Sequence, residues 1–572
     1  MKFIRVDLTH QTVTHDAVPA AYAGLGGRGL TAEIINAEVP PQCDPLGPDN
    51  KLAIAPGLLS GTSLVNTSRI SIGAKSPLTG TIKESNSGGK IAACLGKLGV
   101  TAIVVEGQAP KGSLYVMSVD VNGNAKLHDA AQYKGMRTYD LCAKLLADFG
   151  PKNTIMCIGP AGEYQLGSAS IQTTDVDDRP CRAAGRGGLG AVMGAKGLKA
   201  VVVSTEGKNP DALADPEAFK EAAKIFAQEL RNNPFTAKVL PKYGTASTLD
   251  AVNALGAFPS YNATKGTFDG ASKINGAALV KTIESRGGKV QHMGCAQCIV
   301  QCSNEYVDPQ GKYVTSSLEY ETIWSMGGML GIDDLDTIAR LDYLCDDIGL
   351  DTINTGVAMA VAMDAGYKSF GDCLAAIDMV EAIAQGTEMG RLIGSGPDAV
   401  GKHFNHHRVP TVKGQSIAAY DPRGMQGNGV TYATSPMGAD HTAGNMLGHY
   451  MARALDPLSP DGQVDGSRQV QIGMAAMDCV GMCILAGMGM TTKEARNAMF
   501  QMIGAKLGTP VDSKGYAAMG MRTLKVEREF NQKAGFTAKD DRLPRFFYEE
   551  PLPPHNKVFL VKDEDLDKVH NF

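Results

Sequence analysis

The sequence predicts an α+β protein, a β-rich N-terminal base followed by two mainly α-helical domains. Three observations carry that expectation. From residue 1 to about residue 204, short β-type runs are broken repeatedly by glycine. Beyond about residue 215, apolar residues recur at helical spacing instead. The composition (572 residues, 43% apolar and 20% charged) supplies enough apolar surface for two or three large cores. The expected domains are 1–205, 206–410 and 411–572.

The β-type runs fall at 2–8, 51–55, 70–73, 102–106, 113–121 and 200–204. Many short strands with frequent turns suggest a large sheet domain rather than a regular βαβ series. The polar segment 206–215, with Pro210 and Pro216, reads as a boundary. Asp215 then caps a helix in which Phe219, Ala222, Ala223, Phe226 and Leu230 share one face. Further helical patterns cover 335–347, 352–364, 373–384 and 468–483, and a polar stretch at 402–410 reads as a second boundary. No internal repeat is visible.

Several classes are excluded early. Twelve cysteines in so long a chain are too sparse for a disulfide scaffold. A net charge of −5 argues against a nucleic-acid partner. The N-terminus has no apolar signal core, and every apolar run is far shorter than the roughly 20 residues of a membrane span. No membrane span is expected, and the expected compartment is cytoplasmic, where clustered cysteines bind metal more often than they pair.

Gly24-Leu-Gly26-Gly-Arg-Gly29 and Gly185-Arg-Gly187-Gly-Leu-Gly190 both match G-x-G-x-x-G. A dinucleotide site needs that loop directly after a strand, with an acid about 20 residues later. The first follows an alanine-rich, proline-containing stretch. The second follows Asp-Arg-Pro-Cys-Arg, which does not read as a strand. Close backbone packing or a phosphate-cradling turn is the better expectation for both, and no P-loop is present.

The strongest local signal is Cys295-Ala-Gln-Cys298-Ile-Val-Gln-Cys302. Three thiols at this spacing can face one iron–sulfur cubane. Structural zinc is the competing metal, and three unused thiols are the bland alternative. Cys479 and Cys483, at a helix end, are both available as a fourth ligand. The other cysteines read as small apolar core residues.

Asp346-Asp-Ile-Gly349-Leu350-Asp351 joins two helical patterns: Gly349 suits a helix stop, and Asp351 suits the next N-cap. Asp478-Cys-Val-Gly481-Met-Cys483 is comparable. Carboxylates fixed at such turns can also accept from a planar ligand edge rich in N–H donors. Arg69, Asn86-Ser-Gly88-Gly89 and Arg182-Ala-Ala-Gly185-Arg186-Gly187-Gly188 combine guanidinium forks with free backbone N–H groups, a pattern suited to phosphates.

In this order, the motifs resemble the tungsten- or molybdenum-dependent aldehyde ferredoxin oxidoreductase family over essentially the whole chain. Lys75-Ser-Pro-Leu-Thr-Gly80, Glu319-Tyr-Glu321-Thr and Asp421-Pro-Arg-Gly424 extend the match. The resemblance implies a metal held by the dithiolene sulfurs of two pterins, with no protein ligand and with helical domains enclosing the cofactor. It assigns Cys295, Cys298, Cys302 and Cys483 to a [4Fe–4S] cluster and places Arg69 between that cluster and a pterin. Asn86, Gly88, Arg182, Ala183, Gly185 and Arg186 would hold the pterin phosphates around a bridging magnesium. Asp346, Leu350, Asp351, Asp478 and Ile484 would contact the pterin ring systems.

The same resemblance makes Glu321 and His441 the catalytic pair for oxidation of an aldehyde with water to a carboxylic acid. Electrons would pass to ferredoxin or an iron–sulfur partner subunit, and an oligomer is expected. The alternative within this cofactor class is low-potential reduction of another carbonyl compound, such as an aryl thioester. A non-catalytic iron–sulfur or zinc protein is the alternative outside it. Two departures stand out: Ala443 replaces a basic residue after the histidine, weakening one pterin contact. Arg340 replaces a glutamate that binds interfacial iron in some members, so no such iron is expected here.

Overall fold

A computed structural model of the chain describes residues 1–208 and 213–572. The boundary expected at 206–215 therefore lies partly outside the described residues. The first sheet contains β1 (Lys2–Asp7), β2 (Thr12–Ala17), β3 (Leu52–Pro56), β4 (Ile70–Lys75), β5 (Ile82–Ser87) and β6 (Val100–Glu106). Their order across the sheet is β2-β1-β6-β3-β4-β5. The second contains β7 (Tyr115–Val119), β8 (Ala125–Asp129), β9 (Asn153–Cys157), β10 (Ile171–Thr173), β11 (Arg182–Ala184) and β12 (Leu198–Ser204), ordered β8-β7-β12-β9-β10-β11.

These orders are the same order, shifted by six strands. Each half starts with an antiparallel hairpin, passes through a long helix (Gly27–Glu38 or Thr138–Phe149), and adds three antiparallel strands. Each then uses a helix (Ile91–Lys97 or Leu189–Lys196) to return to a strand parallel to its first. The base is thus an internal duplication, contrary to the expectation of no repeat. The likeness survives locally only as Gly88-Gly89-x-x-Ala92…Lys97 against Gly187-Gly188-x-x-Ala191…Lys196.

Side chains alternate with period two, so each sheet feeds two cores. Val201 and Val203 share a core with Ile4, Val6, Ile54 and Ile72 of the other sheet, and the two return helices lie between the sheets. Ala200 and Val202 face the outer helix Thr138–Phe149, and Phe3 and Ala53 face the helix Gly27–Glu38. Edge strands β5 and β11 lie against one another. The duplication places Asn86 and Ala183 at equivalent registers, opposite Ser71 and Gln172.

The second G-x-G-x-x-G motif needs correcting. It does follow a strand, β11, and it opens a helix. That strand is short and antiparallel to β10, and the following β12 pairs antiparallel with β9. No parallel βαβ unit forms around the motif, so the dinucleotide reading stays excluded on topology.

The helical part behaves as its periodicity predicts. Helices span Pro216–Asn232, Leu335–Ile348, Thr352–Asp364, Cys373–Ala384 and Gln463–Val480. Asp215 accepts from the Ala218 N–H at 3.0 Å, which satisfies one of the orphan donors of the first turn. One large core joins the helices at 320–326, 335–348 and 352–364 to 426–434. Among the described residues, no helix is long and apolar enough to cross a membrane.

Candidate active site

The cysteine loop runs between the strands Lys289–His292 and Ser303–Val307. Cys295, Cys298, Cys302 and Cys483 all belong to one apolar cluster with Leu240, Val300, Val480 and Met482. Asn66 ties the segments together. Its carbonyl accepts from the Cys483 N–H (2.9 Å), its Nδ2 donates to Cys298 Sγ (3.1 Å), and its Oδ1 accepts from the Ile299 N–H (3.2 Å). The Gly89 N–H reaches Cys295 Sγ at 3.4 Å, the Gln301 N–H reaches Cys298 Sγ at 3.2 Å, and Arg69 Nη2 lies 3.9 Å from Cys483 Sγ. Cys479 points elsewhere, 3.3 Å from Thr523 Oγ1 and packed under Gly29.

Burial, followed by the neighbouring Cys295 and Cys483, pushes the Cys298 thiol up to about 12. Cys302 is also raised, by burial first and then by Glu319 and Cys483. Neither thiol would ionise unaided here, so a thiolate set at this place would need a bound cation to offset its charge. Arg69 stays charged although burial opposes it, because Cys483, Cys295 and Cys302 surround it. A β-carbon on Gly88 would lie 2.5 Å from Cys295 Sγ and 3.5 Å from Arg69 Nη1, so only glycine fits between them.

Arg182, at the start of β11, sits on the other side of the loop. Its guanidinium donates to Ser317 Oγ and Ser303 Oγ, each at 2.6 Å. It passes so close to Gly294 that a β-carbon there would fall 1.6 Å from Nη2. Burial lowers its basicity, but Cys295, Cys181 and Glu319 outweigh that and hold it charged. Gly185 has open space beside it: a β-carbon there would lie 3.8 Å from Asp351 Oδ1.

Two helix junctions close over this base. Gly349 adopts φ +79°, where a β-carbon would strike Gly159, and the Gly349 carbonyl accepts from the Ser170 N–H at 2.9 Å. Leu350 bridges to Ala169 and is fully buried, and Asp351 caps the next helix through the Ile353 N–H at 3.0 Å. The Asp346 side chain is buried, and burial together with Asp342 raises its carboxyl well above the ordinary range. In the corresponding C-terminal junction, Asp478 accepts from Arg28 Nη1 at 3.3 Å, and Ile484 opens the short helix after Cys483. Burial and Glu84 raise Asp478. Asn86 makes only long contacts, to Ser71 Oγ (3.5 Å) and Glu84 Oε1 (3.3 Å).

Glu321 lies in the first turn of the helix Tyr320–Met326, and His441 lies in the loop after Met437. The two meet across the helical core, with Nε2 to Oε1 at 3.5 Å. Glu321 Oε2 accepts from the Ala419 N–H at 3.0 Å. Burial raises the Glu321 carboxyl above its ordinary 4.5, and His441 and that N–H only partly offset it. Tyr420 tilts over the imidazole at 6.2 Å between ring centres.

Sequence reasoning named Arg186 and Asp351 here but missed the Lys83–Asp440 pair and the Arg28–Glu527 clamp. Lys83, inside β5, forms a fully buried ion pair with Asp440 at 2.9 Å. Arg186 Nη1 donates to the Ala439 carbonyl (2.9 Å), Nη2 donates to Ser416, and Nε lies 3.5 Å from Asp351 Oδ2. Arg28 is clamped by Glu527 at 2.7 and 2.8 Å.

The site also contains buried polar atoms without a hydrogen-bond partner: Nε of Arg182 and Arg186, Asp351 Oδ2, Glu321 Oε1, His441 Nδ1, Gln415 Oε1 and the Tyr432 hydroxyl. Each such orphan costs about 1–3 kcal/mol. So many among these residues fit a large polyfunctional ligand, with cationic donors toward its anionic groups and carboxylates toward its N–H edges. Dithiolene pterins with phosphates have that complement.

A thiol quartet beside an arginine- and glycine-lined cradle, and a buried Glu–His pair near Arg186 and Asp351, fit an oxidoreductase. The chain belongs to the aldehyde ferredoxin oxidoreductase family. The family model for the N-terminal domain matches residues 3–205, and that for domains 2 and 3 matches residues 221–570. Tungsten-containing aldehyde ferredoxin oxidoreductases of Thermococcus kodakarensis and Pyrococcus furiosus are each 34% identical, over 99% of this chain and 94% of theirs. An aliphatic sulfonate oxidoreductase WOR-like subunit of Pyrococcus furiosus is 28% identical over 77% of this chain and 74% of its own.

Among solved structures, the active site complex BamBC of benzoyl coenzyme A reductase superimposes with a TM-score of 0.81. It is 20% identical and covers 99% of this chain and 92% of that one. That likeness establishes the fold. The full-length relatives favour the aldehyde reading over the aryl-thioester alternative.

Proposed function

We propose that this enzyme oxidises an aldehyde and water to a carboxylic acid, releasing two electrons and two protons. The observation that carries the reading is the buried Glu321–His441 pair, open on Glu321 Oε1 and His441 Nδ1, beside the Arg186–Asp351 cradle. A tungsten (or molybdenum) bis-pterin, when bound, would supply the two-electron acceptor and the Lewis acid. Arg182 and Arg186 would hold its phosphates, with Asn86, Gly88, Ala183 and Gly185 lining the approach and magnesium offsetting their charge. Asp346, Asp351 and Asp478 would accept from its ring edges, with Leu350 and Ile484 packing beside them.

The chain's own residues do the rest. Glu321, held back from ionisation by burial, takes a proton from the attacking water at Oε1. His441 orients that carboxylate and carries the proton onward. Tyr320, Tyr420 and Tyr432 are buried in the core around the pair and would keep bulk water out. Cys295, Cys298, Cys302 and Cys483 would hold a [4Fe–4S] cluster, with Arg69 between it and the cradle. Such a cluster would supply one-electron transfer to a ferredoxin or an iron–sulfur subunit. Purified enzyme containing tungsten or molybdenum should reduce viologen dye when given an aldehyde; metal-loaded enzyme inert to every aldehyde would refute the reading.

A further inference from the structure

A surface groove of 470 Å³ opens beside the cysteine cluster, lined by Lys242, Tyr243, Ala277, Val280, Lys281, Glu284 and Ser285. We infer that this groove is the docking surface for a small acidic electron-carrier protein.

Position is the first argument. The short helix Leu240–Tyr243 turns Leu240 into the apolar cluster that holds Cys295, Cys298, Cys302 and Cys483. Three residues on, about 4.5 Å along the axis, Tyr243 lines the groove. The next residue, Gly244, packs so tightly that a β-carbon would lie 2.8 Å from the Cys302 carbonyl oxygen. The same helix also packs against the strand Lys289–His292, which leads into Cys295. A partner seated here would rest on Tyr243, next in the chain to Gly244, whose backbone lies against that of Cys302.

Charge is the second. The chain carries a net charge of −5, yet Lys242 and Lys281 line the groove against a single carboxylate, Glu284. Lys238, exposed one turn earlier, adds a third cation. Among the described residues, none of these three lysines has a carboxylate within 4.0 Å; the Lys242 ammonium instead lies over the Tyr243 ring at 5.2 Å. Unneutralised lysines around a half-buried tyrosine suit a carboxylate-rich surface, the tyrosine supplying rigid contact area. Each encounter would move one electron from the reduced cluster to the carrier's own iron–sulfur centre, with no bond made or broken.

This inference rests on the reading that electrons leave through the cysteine cluster. The test uses the loaded enzyme with an acidic two-cluster ferredoxin and, in parallel, with methyl viologen. In Lys238→Glu/Lys242→Glu/Lys281→Glu enzyme, the KM for ferredoxin should rise about tenfold or more at low salt, and the ionic-strength dependence should flatten. Viologen-linked turnover should stay within twofold of the parent. The neutral Lys242→Gln/Lys281→Gln variant should fall between, and Lys568→Glu, elsewhere on the surface, should change nothing. An unchanged ferredoxin KM, or an equal loss with viologen, overturns the docking surface. Direct titration of ferredoxin against parent and variant, which needs no substrate, separates that failure from failure of the aldehyde reading, which would abolish turnover with both acceptors in the parent.

Discussion

Glu321→Gln keeps the shape of the side chain and its hydrogen bond from the Ala419 N–H, and removes only the titrating oxygen. Position-held proton transfer contributes about 10²–10⁴-fold to a rate. At about 1.4 kcal/mol per decade, that is roughly 3–5.5 kcal/mol of barrier. His441 at 3.5 Å favours the ionised form of Glu321, while burial opposes it and prevails, so its titration lies above the ordinary 4.5. The sign follows. As pH falls through the raised pKa, the base is protonated and lost, so kcat/KM should decline on the acid side at a pH above 4.5. The assay is aldehyde-dependent viologen reduction across pH, with tungsten, molybdenum and iron contents measured on the same samples. Glu321→Gln should lose about 10²-fold or more and lose the acidic limb, with metal content unchanged. Activity within tenfold of the parent, with the limb intact, would refute the role.

Three further outcomes follow from particular contacts. Cys483→Ser should cost cluster iron and its electron paramagnetic resonance signal, whereas Cys479→Ser, whose thiol faces Thr523, should retain both. Gly88→Ala places a methyl group 2.5 Å from Cys295 Sγ, so iron content should fall before overall helicity does, as seen by elemental analysis beside circular dichroism. Lys83→Met leaves Asp440 buried without its main counter-charge, at a cost of about 3–5 kcal/mol. Thermal inactivation should be markedly faster, and adding Asp440→Asn should recover part of the loss.

Much of this was legible in the sequence, for identifiable reasons. The helix at 335–348 has apolar residues at helical spacing, the helix at 352–364 is apolar and buried on every side, and Gly349 and Asp351 stop and start them as turn chemistry requires. The duplication of the base was hidden because topology is set by strand pairing, and only the two Gly-Gly turns and their trailing Ala and Lys persist in the residues. Strand β11 was missed because it is only Arg182-Ala183-Ala184, with Pro180 just before it and Gly185 after it, and its pairing with β10 comes from tertiary placement. Within the site, residues with distinctive spacing could be named in advance. Lys83 and Arg28 could not, since each matters through a partner hundreds of residues away: Asp440 for one, Glu527 for the other.

The central claim is that aldehyde oxidation at the Glu321–His441 pair feeds the cluster at Cys295, Cys298, Cys302 and Cys483. The most direct measurement is a single anaerobic addition of aldehyde to oxidised, metal-loaded enzyme, frozen for electron paramagnetic resonance with no acceptor present. The account predicts a reduced [4Fe–4S] signal in the parent and none on the same timescale in Glu321→Gln. A parent with full tungsten or molybdenum and iron whose cluster stays oxidised with every aldehyde would contradict it.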